Sequence, residues 1–303
     1  MNFVSQFYIK YRPNNFEELL VNPYILKILK HLFNNFNYNY IFYGNSGCGK
    51  SSISKLLIHT YYKNSEILEI NSSNDRNINI YELIKHFIYT TSQKAIIYID
   101  EADHLTTYSQ NKLIQIINQN YKNITILLCC NYINKLKPKL IKRCLNFHFN
   151  INYFDYKIIN NIILNEKLLI SPDIVDYLLI ISNKDFRLFL NYIQVLSLYD
   201  KHITYDNIKK IYYLPNNHDI DFIIENRNLN FNSYFLKIYE YINVNNFNLN
   251  DIITIMFNYL ISCKNYNVKF LKSLSDIEND IYNIFNIKLK LAKLLINIKL
   301  FYK

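Results

Sequence analysis

The stretch YGNSGCGKSS, Tyr43–Ser52, contains every glycine in the chain: Gly44, Gly47 and Gly49. Each other turn of this 303-residue sequence is made without one. Asn, Ile, Lys and Tyr are abundant while Gly, Ala and Arg are scarce, the pattern that AT-rich coding imposes. Under such a bias, clustered glycines mark positions where no substitute works. Glycine reaches backbone angles that other residues avoid, and so can turn successive N–H groups toward one anion.

Gly44-x-x-x-x-Gly49-Lys50-Ser51 has the spacing of a phosphate-binding loop. The context agrees: apolar YNYIFYG before it reads as a buried strand, and KSSISKLLIHTYY after it as a helix. The positive end of that helix adds to the anion site. Gly44, Asn45, Ser46, Gly47, Cys48, Gly49, Lys50, Ser51 and Ser52 are therefore expected to hold a nucleoside triphosphate, ATP. Lys50 would reach the β- and γ-phosphates, and the Ser51 hydroxyl would ligate Mg²⁺.

The second half of the site comes from AIIYIDEAD, a hydrophobic strand ending in Asp100 and Glu101. Ligands of parallel α/β sheets bind at such carboxyl ends. Asp100 is expected to hold Mg²⁺ through water, and Glu101 to polarise the attacking water. The tetrad DEAD also suggests an RNA helicase. The chain beyond residue 150, however, is helical and holds neither a second parallel sheet nor the S-A-T and H-R-x-G-R motifs. Strand ITILLCCN ends in Asn131, whose amide can orient water or touch the γ-phosphate. Arg143, in KRC, and Arg187, in KDFRLFLNYIQ, suit sensing of γ-phosphate charge.

Strands with apolar residues on both faces alternate with helices up to about residue 150. This predicts an α/β core, a parallel sheet covered by helices on both faces. Beyond it the pattern is helical throughout, with LPNNHD (Leu214–Asp219) as the best linker. The expected domains are 1–150, an ATPase core; 151–213, a helical lid; and 220–303, a helical C-terminal domain.

Half the residues are hydrophobic, which excludes a disordered chain. No apolar run approaches a membrane span and the N-terminus lacks a signal-peptide layout, so a soluble intracellular protein is expected. The five cysteines form no C-x-x-C pair and read as buried small hydrophobes. A net charge of +10 suits an anionic partner, nucleic acid first, although coding bias toward Lys contributes. The five arginines, Arg12, Arg76, Arg143, Arg187 and Arg227, mark places where a planar cation matters.

Taken in order, these motifs resemble the AAA+ clamp-loader family, in its replication factor C small-subunit branch. KYRPNNFEEL is similar to the family's K-Y-R-P-x-x-x-x-E-[LV], which places Tyr8 and Arg12 at the adenine pocket. LEINSSNDRNIN resembles L-E-x-N-A-S-[ND]-[DE]-R-G-I, and IDEADHLT resembles D-E-A-D-x-[LM]-T. LLCCNY matches the C-N-Y around Asn131, KRC looks like S-R-C, and KDFRLFLNYIQ looks like G-D-[ML]-R-x-[AL]-[LI]-N-x-[LM]-Q. Lys142, Asn77, Lys184, and Ile114 with Gln115 depart from the family's Ser, two Gly, and Arg pair.

The resemblance implies a heteropentamer of replication factor C subunits that opens a PCNA-type sliding clamp and loads it on primer–template DNA in the nucleus. It implies that Arg143 acts in trans on a neighbour's ATP, and that Arg76 contacts DNA phosphates. It further places Ile84, Phe87 and Ile88 against the clamp. The triplet Asn74-Asp75-Arg76 leans toward the eukaryotic subunit 2 type. Two rivals are a subunit that binds ATP with little hydrolysis, and another AAA+ DNA machine such as a branch-migration motor.

Overall fold

The computed structural model describes residues 5–35, 38–73, 80–119, 121, 123–150, 156–183, 185–262, 268–280 and 287–301. Arg76, Asn77, Lys184 and Cys263 lie outside them. Five strands, β1 (Tyr40–Gly44), β2 (Glu66–Asn71), β3 (Ala95–Asp100), β4 (Ile124–Cys130) and β5 (Leu145–Phe149), pair in parallel. Their order is β2–β3–β4–β1–β5.

Strand alternation explains why the apolar runs are continuous. Ile97 and Ile99 of β3 enter one core cluster with Ile126 and Leu128 of β4. Ile96 and Tyr98 enter the other, with Leu127, Cys129, Tyr40 and Phe42. Helices α2 (Pro23–Asn35) and α3 (Lys50–Tyr61) cover the second face through Leu29, Phe33, Ile53 and Leu57. Helices α4 (Ile80–Thr90), α5 (Thr107–Asn118) and α6 (Pro138–Ile141) cover the first through Ile84, Leu113, Ile116 and Leu140. The inner strands β1, β3 and β4 are thus buried on both faces, as the alternating pattern predicts, while the edge strands β2 and β5 are largely exposed.

This packing corrects one expectation. Ile84 is 0% and Ile88 8% exposed, both inside the core, and Phe87 packs against the same cluster. The apolar stripe of α4 faces the protein's own sheet, because that is the cheapest place to remove it from water. Leu83 and Tyr89, 39% and 73% exposed, form the outward face instead. Similarly Ile114, where the family pattern carries arginine, is a buried core residue.

The chain divides into two compact units, Met1–Lys167 with Asp176–Gln194, and Leu168–Val175 with Val195–Lys303. The first contains the sheet, short α1 (Phe7–Lys10) and α7 (Tyr156–Asn165). Helices α8 (Pro172–Ile181) and α9 (Phe186–Tyr199) each contribute residues to both units. The second is helical: α10 (Tyr205–Tyr212), α11 (Asn217–Glu225), α12 (Phe231–Val244), α13 (Leu249–Ser262), α14 (Val268–Asp280) and α15 (Ile287–Phe301).

The segment Leu214–Asp219, expected as a linker, has no regular secondary structure up to Asn216 and enters α11 at Asn217. Asn216 and Asp219 form a reciprocal capping box that opens α11. Buried Asp219 also accepts from Lys209 Nζ at 2.8 Å and from the Tyr241 hydroxyl, tying α10, α11 and α12 together. Arg227, the arginine without a place in the family pattern, donates to the carbonyl of Ile224 at 3.1 Å, at the end of α11. Among the described residues, no helix is long and apolar enough to cross a membrane.

Candidate nucleotide site

The register sets the strand tips side by side. Asn71 pairs with Asp100 across β2–β3, and Tyr43 with Cys130 across β1–β4. The loop after β1, the acidic pair after β3 and Asn131 after β4 therefore emerge at one edge of the sheet.

All three glycines have positive φ: +149° at Gly44, +65° at Gly47 and +88° at Gly49. At Gly44 a Cβ would lie 1.9 Å from the carbonyl oxygen of Phe149 on neighbouring β5. At Gly47 it would lie 1.9 Å from Asp185 Oδ1. Asp185 accepts the N–H of Leu188 at 3.0 Å and so caps the first turn of α9 directly against the loop. A backbone oxygen held in a sheet cannot withdraw as a side chain can. Gly44→Ala is therefore expected to cost about 2–4 kcal/mol of stability, from overpacking plus backbone strain. Denaturant unfolding of the full chain measures it.

Lys50 is 8% exposed at the start of α3. Its ammonium donates to the carbonyls of Gly44 at 2.8 Å and Asn45 at 2.7 Å, with Cys48 Sγ at 3.6 Å. Burial pushes the Cys48 thiol pKa up, against the opposing influence of Lys50. Burial also pushes Cys130 and Cys144 up to about 12. These thiols stay protonated at neutral pH and pack as small hydrophobes.

Lys50, Ser51, Asp100, Glu101, Asn131 and Arg187 line one polar cavity of about 330 Å³, together with Ser46 and Gly47. A more apolar cavity of about 450 Å³ shares Arg12, Gly47, Lys50, Ser51 and Arg187 with it. Tyr8, Cys48, Gly49 and Ser52 lie on its wall, with Ile158 and Ile162 of α7 and Leu190 of α9. A charged cavity joined to an apolar one suits a triphosphate joined to a base. Asn45 joins through its carbonyl on Lys50.

Asp100 Oδ1 accepts the N–H of Glu101 at 3.0 Å, which fixes the carboxylate at the strand tip. Glu101 itself has φ +54°, a left-handed conformation that costs a non-glycine residue about 1–2 kcal/mol. The Asn131 N–H makes a long contact, 3.4 Å, to Oδ1 of buried Asp103. The Arg187 guanidinium lies 5.8 Å from the Tyr8 ring centroid, a cation–π contact. Ser51 hydroxyl and Asp100 carboxylate are hard oxygen donors beside the phosphate loop. That donor set fits Mg²⁺, which takes one or two protein oxygens and completes its shell from phosphates and water.

Arg143 lines neither cavity. It is exposed, with Nε donating to Asn118 Oδ1 at 2.6 Å and a terminal nitrogen to the Lys139 carbonyl at 2.8 Å. Sequence reasoning missed Lys55, Asn71, Asp103 and Asp185. Lys55 and Asn71 line the polar cavity, which only the order of the strands reveals. Asp103 had a signal, as the last residue of the DEAD tetrad.

Residues 40–153 match the family described as ATPase family associated with various cellular activities. Replication factor C subunit 3 of Schizosaccharomyces pombe is 30% identical, over 96% of this chain and 89% of its own. The chain belongs to the replication factor C small-subunit family. A probable replication factor C subunit 5 of Dictyostelium discoideum is also 30% identical, over 94% and 88%. The Homo sapiens subunit 5 is 29% identical, over 81% and 76%. These names are subunits 3 and 5, and they lend no support to the subunit 2 leaning of Asn74–Arg76.

Among solved structures, the Thermotoga maritima RuvB Holliday junction branch migration motor aligns with a TM-score of 0.54. It covers 85% of this chain and 92% of its own at 12% identity, which shows a shared AAA+ fold and nothing about substrate. The replication factor C relatives set the branch-migration alternative aside. The chain is an AAA+ ATPase.

Proposed function

We propose that this replication factor C subunit uses ATP to open a ring-shaped sliding clamp and place it on primer–template DNA. The observation that carries the reading is the division of its charged residues. Lys50, Ser51, Asp100, Glu101, Asn131 and Arg187 share one cavity, whereas Arg143 stands exposed outside it. Such a chain holds its own ATP and offers an arginine to a neighbour's.

In this reading the loop N–H groups and Lys50 hold the β- and γ-phosphates, while Arg187 reports the γ-phosphate. Glu101 accepts the proton of the attacking water, and Asn131 orients that water. Mg²⁺, held by Ser51 and through water by Asp100, would neutralise charge on the phosphate oxygens. Tyr8 and Arg12 border the base. Residues 151–213 serve as lid and 220–303 as the collar of a heteropentamer. Arg76 and the net charge of +10 meet DNA phosphates without reading bases, since a loader accepts any sequence. The setting is the nucleus or an equivalent compartment.

The test is ATP hydrolysis by the reconstituted five-subunit complex. Turnover is expected to rise severalfold only when sliding clamp and primed junction are both present. Equal turnover with unprimed duplex and no clamp would overturn the loader reading.

A further inference from the structure

Tyr98 is a residue of β3 that the reaction scheme above leaves unused. It stands two positions before Asp100, so strand alternation puts both side chains on the same face. Its neighbours in register are Glu69 of β2 and Leu127 of β4. The ring packs in the core cluster beneath α3, with Ile53 and Leu57.

The residue is 2% exposed, and its buried hydroxyl has no hydrogen-bond partner. Leaving a hydroxyl so placed costs about 1–3 kcal/mol, which phenylalanine of the same shape would avoid. Two other side-chain groups among the described residues share this condition, the Tyr40 hydroxyl and Ser72 Oγ. Tyr40 opens β1, at the end of the sheet away from the phosphate loop.

The polar neighbours of the Tyr98 hydroxyl are Cys129, Asp100 and Ser51. A phenolic hydroxyl can donate, and a carboxylate is a stronger acceptor than a thiol. Ser54 Oγ, which donates to the Lys50 carbonyl at 2.8 Å, lies 3.1 Å from Cys129 Sγ and already engages it. Asp100 is the charged acceptor in reach, and one of its oxygens, Oδ1, is held by the Glu101 N–H.

We propose that Tyr98 is a positioning residue for Asp100: its hydroxyl donates to the Asp100 carboxylate when Mg²⁺ and ATP fill the site. The bond aims the carboxylate at the water shell of the metal. This rests on the reading of Ser51 and Asp100 as the Mg²⁺ residues. The orphaned hydroxyl is then a donor kept for the loaded state, at a cost in the free one. Partners that orient a metal-binding carboxylate typically change metal affinity about 10- to 100-fold when removed.

The experiment compares the wild-type full chain with Tyr98→Phe. Binding of a fluorescent ATP analogue is titrated against free Mg²⁺, and the Tm of each nucleotide-free protein is recorded. The expected result is a Mg²⁺ midpoint raised about 10-fold or more in Tyr98→Phe. Analogue binding in EDTA should be the same for both proteins. The nucleotide-free Tm should be equal or higher, because the variant removes an unpaired buried hydroxyl. An unchanged midpoint in the variant, beside a clear Mg²⁺ dependence in wild type, overturns the role of Tyr98 alone. A lower nucleotide-free Tm also overturns it, since the hydroxyl would then have a partner in the free fold. Wild-type binding indifferent to Mg²⁺ overturns the metal site itself and this inference with it.

Discussion

Arg143→Ala in the assembled complex is expected to lower ATP hydrolysis at the adjoining subunit's site by on the order of 10³–10⁵, the worth of a trans arginine in analogous GTPases. The same variant should leave this chain's own ATP affinity unchanged, because Arg143 lines neither of its cavities. The guanidinium is anchored without being consumed. Two of its nitrogens donate to Asn118 and to the Lys139 carbonyl, and the side chain stays exposed. A planar cation held this way would need little further ordering to meet a neighbour's γ-phosphate, as proposed. Lysine at this position keeps the charge but loses the fork of donors, so Arg143→Lys should recover little. The readout is single-turnover hydrolysis in complexes where the other sites are silenced. Wild-type turnover in Arg143→Ala would show that KRC carries no trans function.

Lys50→Met is the second large effect, and it falls on binding. The buried ammonium is held by the Gly44 and Asn45 carbonyls, at the base of the loop. Methionine fills a similar volume without charge or donors. Two charge-assisted hydrogen bonds to phosphate are worth about 1.5–3 kcal/mol each, so ATP affinity should fall about 10²- to 10⁴-fold. The free protein should also lose a few degrees of Tm, because two loop carbonyls are left without their donor. Titration calorimetry with ATP and a thermal melt measure both. Retained affinity would mean that the triphosphate is held by backbone N–H groups alone.

Much of the core was legible because its signals are local. Three glycines within one short stretch, in a chain with no others, can be placed without knowing what surrounds them. Their reason is only partly local. The obstacle at Gly44 is a carbonyl on β5, and the obstacle at Gly47 is Asp185 before α9. Alternating strands and helices likewise announced a parallel sheet. The motif order from KYRP to the Arg187 segment was enough to reach the family that the relatives confirm.

The direction in which a helix turns its apolar stripe was not legible. Ile84, Phe87 and Ile88 have the same spacing whether they meet a partner or the protein's own sheet, and burial decided for the sheet. Leu214–Asp219 has turn composition, which does not tell that its last residues carry the capping box of α11 and the Lys209 and Tyr241 contacts. Composition reports local backbone preference and is blind to partners far along the chain.

The sequence by itself determined the phosphate loop, the acidic strand end and the alternating α/β core, since each is written in neighbouring residues or in a short period. Tertiary structure alone decided what shares a cavity. Asn71, Lys55 and Arg187 share a cavity with Asp100 because the strand order and the placement of α3 and α9 bring them there. It also decided that the Tyr98 hydroxyl lies unpaired behind Asp100, since whether a polar atom finds a partner depends on packing from three elements at once.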